Sequence, residues 1–378
     1  MPFTPIRRST TSSIVIRFHN SATDLLANCQ SDLKARERDA NIILPFALKA
    51  KHGESSSSST SSAPHNPKFL PQITTSFSSD SESSDDEAVP ALTSPTKVDQ
   101  FWLSAWTSRG RQPAKLDMVL SCTNGPIGKY PVFLYSNVPD EDLTSVLVIP
   151  RIDALVARLR SLVTSKRVFS VFGPVPLTQP FVHAWSSSTG ATPVIDPYYA
   201  AKHTFCTRES LTSAPISPLS VSHSLRLAEP SDLVGAASLC HGFASGSEPF
   251  VLSVEDSIKE ANLYISQRQM YVYKIEDAIA SIVCVTRSSA NVSAITKVYT
   301  NPHFRGQKCA EKLVRYVCQV LLGEMGKREV VLFVAHDNKA AEKVYDRVGF
   351  QGLWGKPRPE GVNDWVEIGF EEAEVGHW

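Results

Sequence analysis

Two short segments late in the sequence carry residue types that suit the binding of a phosphorylated cofactor. In residues 294–310, AITKVYTNPHFRGQKCA, an apolar strand ends at Thr300 and a loop leads through Arg305 into a helix. A helix begins with unpaired N–H groups and about half a positive charge from its dipole, so this arrangement forms an anion site. Arg305 and Lys308 add positive charge, which favours a pyrophosphate. Taken alone, this pattern is a weak indication, because many α/β proteins have it.

The second segment, residues 331–350, continues with another strand and helix. It reads VLFVAHDNKAAEKVYDRVGF, and a helix after Asn338 places Ala341 and Tyr345 on one face. Gly349 follows, at the point where a residue in the left-handed conformation commonly ends a helix. Considered singly, Asn338 is a helix cap and Tyr345 is a half-buried core aromatic. Neither residue alone indicates catalysis.

Together the two segments resemble the GNAT acetyltransferase superfamily. After its fourth strand that family has Arg/Gln-x-x-Gly-x-Gly/Ala; here Arg305 and Ala310 fit, whereas Lys308 replaces the first glycine. The later family pattern, Asn-x-x-Ala-x-x-x-Tyr-x-x-x-Gly-Phe, is met in full from Asn338 to Phe350. The resemblance implies a GNAT-type mixed α/β sheet flanked by helices in the second part of the chain.

The resemblance also implies an acyl-CoA-dependent N-acyltransferase that moves acetyl, or another short acyl group, from acetyl-CoA to an amine. Tyr345 would protonate the departing thiolate, which a phenol of ordinary pKa near 10 can do for a thiol of pKa near 8.5. A splay between the strands ending at Thr300 and starting at Val330 would expose the thioester. The cofactor-binding residues implied by the family pattern are Val298, Tyr299, Thr300, Arg305, Gly306, Gln307, Lys308, Cys309, Ala310, Asn338, Ala341 and Tyr345.

Lys308 leaves two outcomes open, because the glycine it replaces lets a phosphate approach the backbone closely. In the first, a lysine at the first helical turn points its side chain outward and cofactor binding is intact. In the second, binding is weakened and the chain is a non-catalytic acyl-CoA-binding module. A further alternative is an interaction protein that uses a polar segment at residues 52–97.

No residue is assigned as the general base. His241, Glu248 and Glu255 lie where the family builds its acceptor site, but each is better explained as a solvated surface group. Lys297, on the strand, is not an acid, and a relay through water is another option. No cysteine or histidine spacing predicts a metal site.

The length of 378 residues and one low-complexity stretch indicate two domains. We expect an N-terminal α/β domain over residues 1–51 and 98–215 and the GNAT domain over residues 222–378. The N-terminal domain is either a degenerate GNAT-like domain or an unrelated accessory domain. Residues 52–97, rich in Ser, acids and Pro, are predicted to be disordered because too little apolar surface offsets the entropy of ordering.

The amino-acid composition indicates which classes of partner and which cellular compartment to expect. Lys+Arg and Asp+Glu balance at 38 each, which does not favour nucleic acid, and no apolar run approaches the roughly 20 residues of a membrane span. The 7 cysteines contain no CxxC pair, which fits a reducing compartment. We therefore predict a cytoplasmic protein, with the nucleus and the mitochondrion as alternatives. The partners predicted are acyl-CoA and an amine acceptor, without nucleic acid or membrane, in an oligomeric state that the sequence leaves open.

Overall fold

Twelve strands form one mixed sheet in the computed structural model, which describes residues 12–58, 100–109, 111–213 and 222–377. The described strands are β1 (Ser12–His19), β2 (Phe101–Arg109), β3 (Lys115–Asn124), β4 (Lys129–Ser136), β5 (Ser170–Pro174), β6 (Tyr199–Thr207), β7 (His223–Leu227), β8 (Met270–Ile275), β9 (Ala278–Ser288), β10 (Val292–Thr300), β11 (Glu329–Ala335) and β12 (Asn363–Gly369). The described α-helices are α1 (Ala22–Ala35), α2 (Ile43–Ser58), α3 (Ser145–Arg160), α4 (Val175–Thr189), α5 (Leu233–Ala244), α6 (Val254–Ser266), α7 (Cys309–Gln319) and α8 (Lys339–Val348). The predicted mixed α/β class is confirmed.

The same order of elements occurs twice along the chain. The first series runs from β1 to β6 and the second from β7 to β12, each in the order strand, two helices, three strands, helix, strand, helix, strand. The second series has the order that the sequence predicts. The first repeats it because α2, which the sequence analysis did not predict, supplies the second helix.

The two series exchange their last strands. In the sheet order β1-β2-β3-β4-β5-β12-β6-β11-β10-β9-β8-β7, the strand β12 lies beside β5 and the strand β6 lies beside β11. Both exchanged strands pair antiparallel with their new neighbours and with each other. The sheet is therefore continuous through both parts of the chain, and the division into two domains stays a prediction.

Side chains from three central strands hold this junction together. Phe172 of β5, Phe333 of β11 and Trp365 of β12 form a triangle of rings with centroids 5.0–5.2 Å apart. Such aromatic contacts add about 0.5–1.5 kcal/mol each beyond the burial of their area. Polar contacts reinforce the junction, since the carboxylate of Glu37 accepts hydrogen bonds from Ser289 and Asn291. The first series is thus anchored against the strands that carry the predicted site.

The helices α7 and α8 cover one face of the second series. Leu313, Val314 and Val317 of α7 are fully buried at helical spacing against β8, β9 and β10. The helices α5 and α6 cover the opposite face, where Ala236, Cys240 and other small side chains pack on β8 and β9. No helix among the described residues is long and apolar enough to cross a membrane.

Several predicted boundaries are wrong. Residues 52–58, which we expected to be disordered, continue helix α2, and the rest of that predicted segment lies outside the described residues. The apolar residues from Ile152 to Leu162 have helical spacing and predict a helix at 151–164, but this helix begins at Ser145, because Val148 joins its buried face and Pro150 lies inside it. The apolar residues from Ala310 to Leu321 predict a helix from about 307 to 323, but this helix starts at Cys309 and changes to a π-turn at Val320–Glu324.

The sequence of residues 352–370 also predicts a hairpin-like end, and this prediction is wrong. That segment contains one strand, β12, whose partners are β5 and β6 rather than a neighbouring strand of the same segment. A hairpin pattern depends on local pairing, whereas β12 pairs with strands more than a hundred residues earlier. Sequence spacing carries no signal for such a partner.

Candidate active site

The strands β10 and β11 separate where the predicted site begins. They pair in parallel from Val292 opposite Glu329 to Ile295 opposite Leu332 and no further. A bulge shifts the register of β10 against β9 between Ile295 and Lys297, which bends the strand away. Residues 296–300 of β10 therefore have no partner on β11, so the predicted splay is present. Backbone groups on this open edge are available to a ligand.

A cavity of about 1400 Å³ lies at this gap and takes its walls from both series of elements. It is large enough for a cofactor and a second substrate together. Gln307 is exposed and does not line it. The predicted cofactor-binding residues that do line the cavity are Val298, Tyr299, Thr300, Arg305, Gly306, Lys308, Cys309, Ala310, Asn338, Ala341 and Tyr345.

The N-terminus of α7 forms one wall of the cavity. The first hydrogen bond of this helix runs from Lys312 N to Lys308 O, so the N–H groups of the preceding turn have no acceptor within the helix. The side chain of the N-cap residue makes no hydrogen bond to these N–H groups. Arg305 lies beside this turn, with its guanidinium 5.5 Å from the ring of Tyr299. These groups fit a pyrophosphate in both charge and hydrogen-bonding capacity.

Lys308 does not occupy the first helical turn, contrary to the sequence analysis. It is the N-cap residue of α7 and adopts the left-handed conformation, with φ 60° and ψ 25°. Gly306 in the same loop also has a positive φ, of 80°. The glycine of the family pattern thus corresponds to a position whose backbone is left-handed, which explains why glycine suits it. Lys308 keeps that conformation despite its side chain.

We expect the Lys308→Gly variant to be more stable than the natural protein by about 0.5–1 kcal/mol. Removing the side chain relieves about 1–2 kcal/mol of left-handed strain, which outweighs the roughly 0.4–1 kcal/mol that glycine adds to the entropy of the unfolded chain. Denaturant unfolding measures the change. Glu276→Gly is the matched control, because Glu276 has φ 54° in the turn between β8 and β9, away from the cavity. A loss of stability confined to Lys308→Gly would show that the lysine side chain holds the loop.

Tyr345 lies on the buried face of α8 and is 8% exposed. Its ring packs on Phe350, with centroids 5.8 Å apart. Burial raises the pKa of the Tyr345 phenol above its ordinary value. The hydroxyl therefore keeps its proton throughout the neutral range, as a proton donor requires.

Asn338 caps the helix that carries Tyr345. Its side-chain oxygen accepts a hydrogen bond from Ala341 N at 3.0 Å. The capping function that the sequence suggested is therefore present, and the amide NH₂ of Asn338 keeps its own donors for a ligand. At the other end of α8, Gly349 has φ 120°, so the expected positive φ is also present.

The wall opposite α7 carries a buried ion pair that the sequence analysis did not identify. Lys297 of β10 lies 2.5 Å from the carboxylate of Glu260 on α6, and Tyr264 donates a hydrogen bond to the same carboxylate at 3.0 Å. Burial raises the pKa of Glu260, but the neighbouring His377, the ion pair with Lys297 and the hydrogen bond from Tyr264 outweigh it and lower the pKa to about 2. Glu260 is consequently ionised at any physiological pH.

A second cation, Arg287 of β9, lies on the same wall. Its guanidinium is 5.7 Å from the ring of Phe333, and the residue is 4% exposed. Burial lowers the pKa of Arg287 to about 10, so it remains charged. Aromatic side chains from the first series, including Phe46, Tyr130 and Tyr199, complete this side of the cavity.

The residues considered as bases lie in different places. Glu248 lines the cavity. His241 does not line it, and its Nδ1 is 3.0 Å from the carbonyl oxygen of Leu252. Glu255 is exposed and lies 3.4 Å from Lys259 on the outside of α6. The four-residue spacing of Glu260 and Tyr264 could have indicated that both side chains lie on one face of α6 and line the wall opposite α7. Nothing in the sequence around Arg287 or His377 indicates that they line the cavity.

The fold and cavity define a mixed α/β protein with a ligand cleft between two splayed parallel strands and an anion-binding helix N-terminus. The model of the acetyltransferase (GNAT) family matches residues 240–350. The resemblance found in the sequence is therefore confirmed for this part of the chain. No curated protein matches the chain.

Solved structures with similar folds include several members of this family. A GNAT-family acetyltransferase from Colwellia psychrerythraea is 9% identical, with 73% of this chain and 87% of that chain covered and a TM-score of 0.43. A tandem GNAT protein from the clavulanic acid biosynthesis pathway is 14% identical, with coverage of 75% and 86% and a TM-score of 0.43. A GCN5-related N-acetyltransferase from Sphaerobacter thermophilus is 16% identical, with coverage of 70% and 79% and a TM-score of 0.43.

Proposed function

We propose that this protein is an N-acetyltransferase that uses acetyl-CoA, or another short acyl-CoA, to acylate an amine. The observation that carries the proposal is the meeting of three features on one cavity. These are the open edge of β10, the unpaired N–H groups at the start of α7 and the buried phenol of Tyr345. A family match that spans all three supports the same reaction.

The chain's own residues have separate tasks in this reaction. The backbone of 305–310 binds the pyrophosphate, and Val298–Thr300 offer backbone groups to the pantetheine arm. Acetyl-CoA supplies the acyl group as an activated thioester. The amine approaches from the wall of Glu260 and Lys297 and attacks in its neutral form, and Tyr345 donates its proton to the departing thiolate.

We expect the purified protein to bind acetyl-CoA with a micromolar dissociation constant in isothermal calorimetry. Ala310→Asp should weaken this binding at least tenfold, because a carboxylate in the first turn of α7 repels the pyrophosphate. The same charge favours helix formation at this position, so the helix itself is preserved. Ala278→Asp, at an exposed position at the start of β9, is the control. Absence of binding at millimolar acetyl-CoA would contradict the proposal.

The acceptor is identified by an amine panel that includes small amines, amino acids, peptides and protein lysines. Release of the CoA thiol with each amine measures turnover. A non-catalytic acyl-CoA-binding protein is the second candidate, and the left-handed Lys308 is the observation that favours it. That candidate predicts acetyl-CoA binding without thiol release for any amine in the panel.

We further propose that the elements from β1 to β6 form a degenerate GNAT-like half that shapes the acceptor side of the cavity. The repeated element order supports this origin. No Arg-x-x-Gly-x-Gly/Ala pattern follows β4, which supports the loss of cofactor binding from this half. Phe46, Lys49 and Tyr130 contribute to the wall opposite α7, which supports the shaping role.

A further inference from the structure

The segment after β12, residues 370–377, follows a fixed path along the first series of elements; we refer to it as the β12 extension. Phe370 N donates to Phe169 O at 2.8 Å, and Glu371 N donates to Thr192 O at 2.9 Å. Further along, His377 N donates to Lys129 O at 3.0 Å. Backbone hydrogen bonds thus position the extension at several points, although it contains no helix or strand.

Gly376 allows the extension to approach the sheet closely just before His377. A Cβ atom at this position would lie 2.0 Å from Lys129 O and 2.4 Å from the ring of Phe169. Real Cβ atoms do not approach other atoms so closely, so a larger residue would push the extension away. The close approach fixes the point from which the side chain of His377 enters the cavity.

His377 lines the same cavity as Tyr345 and the open edge of β10. Its Nε2 atom is 3.9 Å from Oε1 of Glu260, and its side chain is 17% exposed. Glu260 is itself held by Lys297 and Tyr264, as described above. The imidazole therefore lies on the acceptor wall, next to a carboxylate that is ionised and fixed in position.

We propose that His377 is the base that removes the proton from the acceptor amine and that Glu260 is its positioning residue. The inference rests on the proposed acetyl transfer and adds a residue to its acceptor site. An imidazole takes up and releases a proton near neutral pH, and a neighbouring carboxylate orients it and stabilises its protonated form. Lys297 contributes by holding Glu260 and by disfavouring a second ammonium nearby, so that the amine gives up its proton.

The proton and electron balance of the step is as follows. With Nε2–H directed to Glu260, Nδ1 of His377 accepts the proton from the ammonium form of the acceptor. The freed lone pair on nitrogen forms the C–N bond, and the C–S bond breaks. The hydroxyl of Tyr345 protonates the thiolate, and the resulting tyrosinate takes the proton that the new amide nitrogen loses. No oxidant or reductant is required.

The test measures CoA thiol release by the full chain with the best acceptor from the amine panel. We expect His377→Gln to lower kcat by about a hundredfold while the dissociation constant of acetyl-CoA stays within twofold. His183→Gln is the matched control, because His183 is exposed on α4 and does not line the cavity. Added imidazole should restore part of the activity of His377→Ala, which a structural role would not allow. Unchanged kcat in His377→Gln, or no rescue of a slow His377→Ala variant, would overturn the assignment.

A second measurement separates this inference from the proposed function. Slow hydrolysis of acetyl-CoA, in which water replaces the amine, uses the same base and does not need an acceptor. If calorimetry detects no acetyl-CoA binding to the natural protein, the proposed function fails. If acetyl-CoA binds and is hydrolysed at the same rate by His377→Gln and the natural protein, the assignment of His377 alone fails.

Discussion

Replacing Tyr345 with phenylalanine is expected to lower kcat for acetyl transfer by about a thousandfold and to leave acetyl-CoA binding within about twofold. A positioned general acid contributes roughly 10²–10⁴ to the rate, and Tyr345, which lines the cavity from α8, is the general acid that we propose. Phenylalanine keeps the packing against Phe350, so the helix and the cofactor wall stay in place. Thiol release and calorimetry on the same preparation separate the two quantities.

Tyr316→Phe is the matched control for this experiment. Tyr316 is a partly buried tyrosine on α7 that packs on Tyr271, with ring centroids 6.3 Å apart, and it does not line the cavity. The kcat of the Tyr316→Phe variant should equal that of the natural protein. An unchanged kcat in Tyr345→Phe would reduce Tyr345 to a packing residue, and a parallel loss of acetyl-CoA affinity would show that the substitution disturbs the cavity wall.

The loss in Tyr345→Phe should not depend on pH between about 6 and 9. Burial raises the pKa of this phenol, so the natural enzyme carries the protonated form across that range. Ionisation of Tyr345 therefore contributes no step to the pH profile. The ratio of the two rates should stay constant while the rate of each follows the protonation of the amine and its base.

The local geometry of the proposed cofactor side could be predicted from sequence because its determinants lie close together in the chain. Asn338, Tyr345 and Gly349 belong to one helix and its two ends, so their spacing follows directly from the geometry of a helix. The loop from Arg305 to Lys308 is likewise continuous with the helix whose N-terminus it forms. Its left-handed backbone was not foreseen, since a lysine at that position gives no sign of a positive φ.

The side of the cavity that we propose for the acceptor could not be predicted because its residues come from distant parts of the chain. Glu260 and Lys297 belong to a helix and a strand of the second series, whereas His377 arrives on an extension guided by Lys129 and Phe169. The exchange of β6 and β12 determines where this extension begins, and it depends on pairing between strands that are far apart in the sequence. Alternating apolar residues predict that β6 and β12 are strands but do not specify their neighbours.

Replacing Gly349 with alanine is expected to lower the free energy of unfolding by about 3 kcal/mol or more. Gly349 has φ 120°, and a Cβ atom there would lie 2.0 Å from the carbonyl oxygen of Ser210 in the first series. Left-handed strain contributes about 1–2 kcal/mol, and forced overpacking adds about 1–3 kcal/mol. Because the obstructing atoms belong to the backbone of Ser210 and Leu211, a rotation of side chains cannot relieve the contact.

Gly190→Ala separates the two contributions. Gly190 ends α4 with φ 77°, and a Cβ atom there would meet nothing within 4 Å. Alanine at this position should therefore cost about 1 kcal/mol, from the backbone conformation alone. Denaturant unfolding of both variants gives the comparison. Equal losses of unfolding free energy in the two variants would show that the segment containing Ser210 moves aside freely. In that case the glycine of the family's Gly-Phe pattern is needed to end the helix and not to pack the two series against each other.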